Sequence, residues 1–137
     1  MPTPPILQAV LPDDQIFRRL MHLAGPVAGA ELLDRLAEDL QAVQTGLTHA
    51  AAAPADWLAI RAHSHVLVAL AGAVGATPLQ TLAEDMNRLA HLQRGDALPG
   101  LVAATLPLLD RLIRFVTDQK ADPGHKADPG QNASPPP

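Results

Sequence analysis

Residues 30–51 read AELLDRLAEDLQAVQTGLTHAA, and the spacing of their large apolar side chains decides the fold. These side chains recur at intervals of three and four residues, which places them along one side of an α-helix. Most of the charged and amide side chains fall on the opposite side. The stretch therefore predicts one long amphipathic helix whose buried stripe consists of Leu33, Leu36, Leu40, Val43 and Leu47.

A short helix is expected before this long helix, and another long helix after it. Asp13 is placed to cap a short helix over residues 15–23, which ends at the Gly-Pro pair 25–26. Pro54 and Asp56 suit the first turn of the next long helix, which runs to Gly75. We expect its core side to carry Ile60, Leu67, Ala71 and Val74.

Two further helices complete the helical part of the chain. Thr77 can serve as an N-cap before Pro78, and the helix that follows stops near Gly95. The last helix extends from about Leu98 to Gln119, with Pro107 expected to kink it or to mark its effective start. The side chains expected in the core are Leu79, Leu82, Met86 and Leu89, then Leu101, Leu109, Leu112, Ile113 and Val116.

The composition agrees with an all-α fold. Hydrophobic residues make up 47% of the 137 residues and aromatic residues only 2%, so Leu, Ala and Val must form the core. Short connections favour antiparallel neighbours, which predicts an up-down-up-down four-helix bundle with a short N-terminal helix. We expect residues 1–12 to be an extended lead-in, residues 13–119 to form the bundle, and residues 120–137, with their repeated KADPG, to be a disordered tail.

Charge and composition exclude several classes of function. The net charge is -4 and the 10 basic residues are dispersed, so no basic stripe is present for nucleic acid. Cysteine is absent, which excludes disulfides, thiolate catalysis and cysteine-ligated zinc. No uninterrupted apolar run approaches 18 residues, and the N-terminus does not resemble a secretory signal. We therefore expect a soluble cytoplasmic protein that contacts no membrane.

Residues 61–76, RAHSHVLVALAGAVGA, place two histidines in an otherwise apolar helix. His65 lies on a second stripe of this helix, beside the core stripe. The second stripe carries little charge, and its side chains become very small toward the C-terminal end of the helix. A small, smooth strip around one histidine is suited to the close approach of another protein. The other members of this stripe are Leu58, Arg61, Val68, Ala69 and Gly72.

The segment DWLAIRAHSHVLVALAGAVGA, residues 56–76, resembles the phosphoacceptor helix of histidine phosphotransfer (HPt) domains of two-component phosphorelays. Trp57 precedes His65 by eight residues, Leu67 occupies the family's leucine position, and residues 74–76 match the end of the family's helix. The resemblance extends over most of residues 13–118. It implies that His65 accepts a phosphoryl group from a receiver aspartate and passes it to another receiver.

The chain departs from the family pattern immediately after this histidine. The family usually has Lys and Gly three and four residues after the acceptor, where this chain has Val68 and Ala69. The family's local Ala-His-Ser fragment also matches residues 62–64, which would make His63 the acceptor. That alignment shifts the other spacings by two and turns His63 about 160° away from His65. The hypothesis that several spacings support is His65.

The resemblance also implies residues that orient the acceptor. Asn87 stands 22 residues after His65, where family members often place a glutamine that positions the imidazole, and His91 lies one turn further along. Arg61 is the nearby cation on the same stripe. The implied partner is a receiver domain of a response regulator, a hybrid histidine kinase, or both.

No cofactor or metal is expected, because histidines at positions i and i+2 of a helix point apart. No ATP-binding motif is present, so no autokinase activity is expected. HPt domains of this bundle size are often monomeric, so the resemblance implies a monomeric phosphocarrier. Two alternatives to the phosphocarrier remain at this point. One is a degenerate HPt-like adaptor that binds a receiver or kinase without phosphotransfer, and the other is a self-associating helical bundle with no signalling role.

Overall fold

In the computed structural model, residues 10–121 are described, and they form four helices. Helix α1 spans Gln15–Ala50, α2 spans Trp57–Val74, α3 spans Thr77–Leu92 and α4 spans Leu98–Ala121. Each helix packs against two others, in the pairs α1–α2, α2–α3, α3–α4 and α1–α4. No strand occurs within these described residues. The prediction of an all-α four-helix bundle is confirmed.

The predicted short N-terminal helix is the first segment of α1. Asp13 Oδ1 accepts a hydrogen bond from the Gln15 N–H at 3.0 Å, but the N-cap residue is Asp14 and not the predicted Asp13, because the helix begins at Gln15. Gly25 interrupts the helix with φ 81° and ψ 174°, and Pro26 follows it. A positive φ of this kind favours glycine, and proline lacks the N–H that would continue the helical ladder. The Gly-Pro pair therefore bends α1 where the sequence predicts a boundary.

Packed residues extend slightly beyond the predicted bundle, residues 13–119, at both ends. Val10 and Leu11 are 0% and 2% exposed and belong to the main core, because their apolar side chains gain by burial against the helices. Helix α4 includes Lys120, which pairs with Asp34 of α1 at 3.0 Å. Residues 1–9 and 122–137, with the rest of the predicted lead-in and tail, lie outside the described residues.

The apolar stripes predicted for α1 and α2 are confirmed. Every residue of the α1 stripe is buried, and the four core residues expected on α2 are 0% exposed. In α3 the prediction is partly wrong, since Leu82 and Leu89 are only half-buried while Ala83 and Ala90 are buried. Small side chains at these two positions bring α3 close to its neighbours, and the bulkier leucines lie at the edge of the contact.

Capping contacts and backbone angles set where α2 and α3 begin and end. Asp56 Oδ1 accepts from the Ala59 N–H at 3.1 Å and caps α2, which ends at Gly75 with φ 81°. The prediction that Thr77 is the N-cap of α3 is wrong. Thr77 lies in the first turn of the helix, and its hydroxyl donates to the Gly75 carbonyl at 3.4 Å. Pro107 lies inside α4 and does not mark its start.

Contacts between α2 and α3 favour the predicted antiparallel arrangement. Gln80 lies against Gly72, and Asn87 bonds to Arg61, so residue numbers rise along α3 as they fall along α2. The up-down-up-down order of all four helices stays a prediction. A small second cluster joins residues from the C-terminal ends of α1 and α3 and the N-terminal ends of α2 and α4, namely Ala50, Ile60, Ala90 and Leu98.

Helix α2 is long and apolar enough to span a membrane by length and composition alone, with a mean hydropathy of 1.4. A core helix of a water-soluble bundle meets the same criterion, and α2 packs against both α1 and α3. The helical architecture is therefore consistent with a soluble protein. The expected cytoplasmic location stays a prediction.

The contact between His63 and Gly46 sets how closely α1 and α2 approach. The imidazole of His63 occupies the position that a side-chain carbon at Gly46 would need. His63 is consequently half-buried between the two helices. Glycine at position 46 is required by this ring and not by the backbone, since α1 is helical there.

Gly46→Ala should destabilise the bundle by about 1–3 kcal/mol, because the added methyl group overlaps the His63 ring. In an open helical site the same change gains up to about 1 kcal/mol, and Gly100→Ala in α4, with no atom within 4 Å, is the matched control. Urea unfolding gives the free energies of unfolding. Adding His63→Ala to Gly46→Ala should restore most of the loss. A stabilising Gly46→Ala in the presence of His63 would contradict the packing.

Candidate functional site

The two histidines of α2 have different surroundings. His63 packs against α1, whereas His65 is exposed on the outer side of the bundle. Ser64, between them, is 0% exposed and faces α3. The acceptor position predicted from the family spacing is therefore the histidine that an approaching molecule can reach.

His65 lies in a shallow, open depression where α2 and α3 meet. Leu58, Arg61 and Ala62 line it from α2, together with His65, and Asn87 lines it from α3. Four of these five residues belong to the predicted site. Ala62 was missed, although its place one turn before His65 was the available signal. Because the side chain of Ala62 is a single methyl group, this side of the depression stays shallow.

Asn87 connects α3 to the turn of α2 that carries His65. Its Nδ2 donates to the Arg61 carbonyl oxygen at 3.1 Å and to Ser64 Oγ at 3.4 Å. The Ser64 hydroxyl also donates to that carbonyl, at 3.2 Å. In a regular helix the same carbonyl accepts the backbone N–H of His65. We call this set of hydrogen bonds the Asn87 bridge.

The Asn87 bridge holds the backbone beside His65 and not the imidazole itself. Within residues 10–121, no hydrogen bond joins the His65 ring to another group. The amide nitrogen of Asn87 is committed to Arg61 and Ser64, so only Oδ1 remains to orient the ring. The orienting role that the resemblance implies for Asn87 stays a prediction.

Arg61 gives the depression a positive charge. Its side chain is exposed, and in the part of the chain that the structure describes it forms no salt bridge. The sequence has no carboxylate between Asp56 and Glu84. The chain as a whole carries a net charge of -4, and four of its acidic residues line a separate depression on α1, formed by Glu31, Asp34, Arg35, Glu38 and Asp39. Arg61 is the charged side chain that lines the depression at His65.

Four predicted surface residues lie outside the depression. Val68 is half-buried and packs against the main core, since it lies about 60° around the helix from His65, on the side of α3. Gly72 is covered by Gln80, whose Nε2 would be 3.0 Å from an added side-chain carbon. Ala69 and His91 are exposed. Val68 and Gly72 therefore offer a partner much less surface than the sequence predicts.

No group of three or more histidine and carboxylate side chains is assembled in a metal-sized cluster within residues 10–121. His63 and His65 belong to different faces of α2, as their spacing predicts. The chemistry of the depression therefore has to come from one imidazole, one guanidinium and one amide.

Comparisons with known proteins return no relative: no family model, no curated protein and no solved structure matches this chain. The resemblance to HPt domains therefore stays a prediction from the sequence around Trp57 and His65. The geometry of the depression is an independent source of evidence about what His65 can do.

Removing the Asn87 bridge should lower the free energy of unfolding. Asn87→Ala and Ser64→Ala should each cost about 1 kcal/mol, because a buried polar partner is lost in both cases. The two changes share the Arg61 carbonyl, so the double variant should show a coupling of about 0.5 kcal/mol or more. Urea denaturation of all four proteins measures the cycle.

Thr81→Ala is the matched control, because the Thr81 hydroxyl bonds only within α3, to the Thr77 carbonyl at 3.1 Å. It should change stability by less than about 0.5 kcal/mol. If the effects of the Asn87 and Ser64 changes on the free energy of unfolding were additive and as small as that of Thr81→Ala, the Asn87 bridge would not stabilise the fold.

Proposed function

We propose that this protein is a histidine phosphotransfer protein in which His65 accepts a phosphoryl group from a receiver aspartate and passes it to another receiver. The observation that carries the proposal is the exposed imidazole of His65 in a depression shared with Arg61 and Asn87. His63, the alternative acceptor, is packed against Gly46. The family spacing and the exposure of the side chains thus favour the same residue.

The chemistry requires little more than a positioned nucleophile. A ring nitrogen of neutral His65 attacks the phosphorus of an aspartyl phosphate, a new N–P bond forms, and the aspartate leaves as a carboxylate. Transfer onward reverses these bonds on a second receiver. Holding the nucleophile in place reduces the entropy lost in reaching the transition state, and the Asn87 bridge supplies a fixed backbone beside His65.

The surface around His65 suits the approach of a receiver. Leu58 is 79% exposed and lines the depression, so it supplies apolar surface that a partner can cover. Ala62 and Ala69 are exposed and small, so they leave the histidine accessible from two sides. Arg61 complements the negative charge of the aspartyl phosphate. A concave, apolar and locally positive surface is what such a partner requires.

The test is phosphotransfer from labelled, phosphorylated receivers of the same organism. Wild type and His63→Gln should acquire acid-labile label, whereas His65→Gln should acquire less than about 1% of it, because the proposed nucleophile is then absent. Label is counted after rapid gel separation at neutral pH. His63→Gln is the matched control, since it removes an imidazole two residues away.

Label on His65→Gln but not on His63→Gln would contradict the assignment of the acceptor. Absence of label from every receiver, with wild-type chain confirmed to be folded by circular dichroism, would contradict phosphotransfer itself.

A second candidate function is an adaptor that binds a receiver or kinase without phosphotransfer. The observation that favours it is Val68, which packs partly into the core where the family has a lysine. The phosphotransfer experiment separates the two functions. Tight receiver binding that survives His65→Gln, without transfer of label to wild type, is the result expected of an adaptor.

A further inference from the structure

We propose that Arg61 is the phosphoryl-binding cation of this protein. This arginine, four residues before His65, takes the role of the lysine that is missing after the histidine. The assignment rests on the proposed function of His65. It makes a distinct statement, because a histidine can accept a phosphoryl group with or without this particular cation. Arg61 would contact the phosphoryl oxygens directly, through its guanidinium.

The placement of Arg61 and His65 on α2 supports this contact. Residues four apart on a helix are neighbours on its surface, with about 5–6 Å between their Cβ atoms. Helical side chains lean toward the N-terminus of the helix, so the His65 ring leans toward Arg61. Both side chains line the same depression. A phosphoryl group on His65 therefore lies within reach of the guanidinium.

The Asn87 bridge fixes the backbone from which Arg61 projects. Two donors, Asn87 Nδ2 and Ser64 Oγ, bond to the Arg61 carbonyl at 3.1 and 3.2 Å. The backbone at Arg61 is thereby tied to α3, while its side chain stays exposed. Less conformational freedom is lost when an anchored residue closes on a ligand, which strengthens the contact.

Other cations near this face are committed elsewhere or absent. Arg88 of α3 pairs with Asp85 at 2.8 Å. Val68 is apolar and packs partly against the core. Within the described residues, Arg61 has no carboxylate partner of its own. Its charge is therefore available to the doubly negative phosphoryl group, and its planar fork matches two of the phosphoryl oxygens.

The experiment uses phosphoramidate, a small phosphodonor, so that no docking partner is involved. A ring nitrogen of His65 forms an N–P bond while the P–N bond of phosphoramidate breaks and ammonia leaves. The full chain is phosphorylated at neutral pH, and the ³¹P NMR signal that His65→Gln lacks is assigned to phosphorylated His65. Its rate of formation and its lifetime are followed. Wild type, Arg61→Gln, Arg61→Lys and Arg19→Gln are compared.

Arg61→Gln should slow formation, or shorten the lifetime of phosphohistidine, by about 5–30-fold, the range expected for one charge-assisted contact. Arg61→Lys should recover most of this loss, because lysine restores the positive charge. Recovery should be incomplete, since lysine lacks the planar guanidinium that bonds two oxygens at once. Arg19 is exposed in the first segment of α1, far along the chain from the depression, so Arg19→Gln should behave as wild type. A purely structural role for Arg61 would not be rescued by lysine.

Wild-type rates and lifetimes in Arg61→Gln would overturn the assignment of Arg61 while leaving the acceptor role of His65 intact. Equal losses in Arg61→Gln and Arg61→Lys would overturn it as well, because charge would then not be the cause. If wild type forms no phosphohistidine with phosphoramidate or with any receiver, the proposed function fails, and the role of Arg61 fails with it.

Discussion

The rotation of α2 about its own axis is the constraint on which the rest of this structure depends. Two contacts set it. On one side the Asn87 bridge ties Ser64 and the Arg61 carbonyl to α3, and on the other the His63 ring fills the space left open by Gly46 of α1. With both contacts in place, His65 is directed outward. A rotation by one residue, about 100°, would exchange buried and exposed positions along the entire helix.

This orientation also determines the character of the surface. Helix α2 carries no carboxylate, so its outer face combines exposed apolar and small side chains with the positive charge of Arg61. The exposed acidic groups of α1 lie around a different depression. The protein thus presents an apolar face that carries an exposed histidine and an exposed arginine. Such a face favours a negatively charged partner surface, and phosphotransfer is the chemistry that an exposed imidazole beside a guanidinium can perform with little further machinery.

Periodicity in the sequence was sufficient to predict the helices and most of the core, because an amphipathic stripe such as that of α1 has one efficient way to be buried. It was also sufficient to separate His63 from His65. It did not predict the Asn87 bridge, since the bonded groups are 23 and 26 residues apart and one of them is a backbone carbonyl. The half-burial of Val68 and the covering of Gly72 by Gln80 depend on where α3 lies, which one helix alone does not specify.

We propose His65, beside Arg61 on the outer face of α2, as the reactive group of this protein. Site mapping on the unaltered chain tests it most directly. Trypsin cleaves after Arg61 and Arg88, so His63 and His65 fall in one peptide that contains no other histidine. After phosphorylation by receivers or phosphoramidate, fragmentation of that peptide at neutral pH should place the phosphoryl mass on fragments that include His65 and not on those that end at Ser64. A phosphoryl group on His63, or an unmodified peptide in a chain phosphorylated elsewhere, would contradict the account.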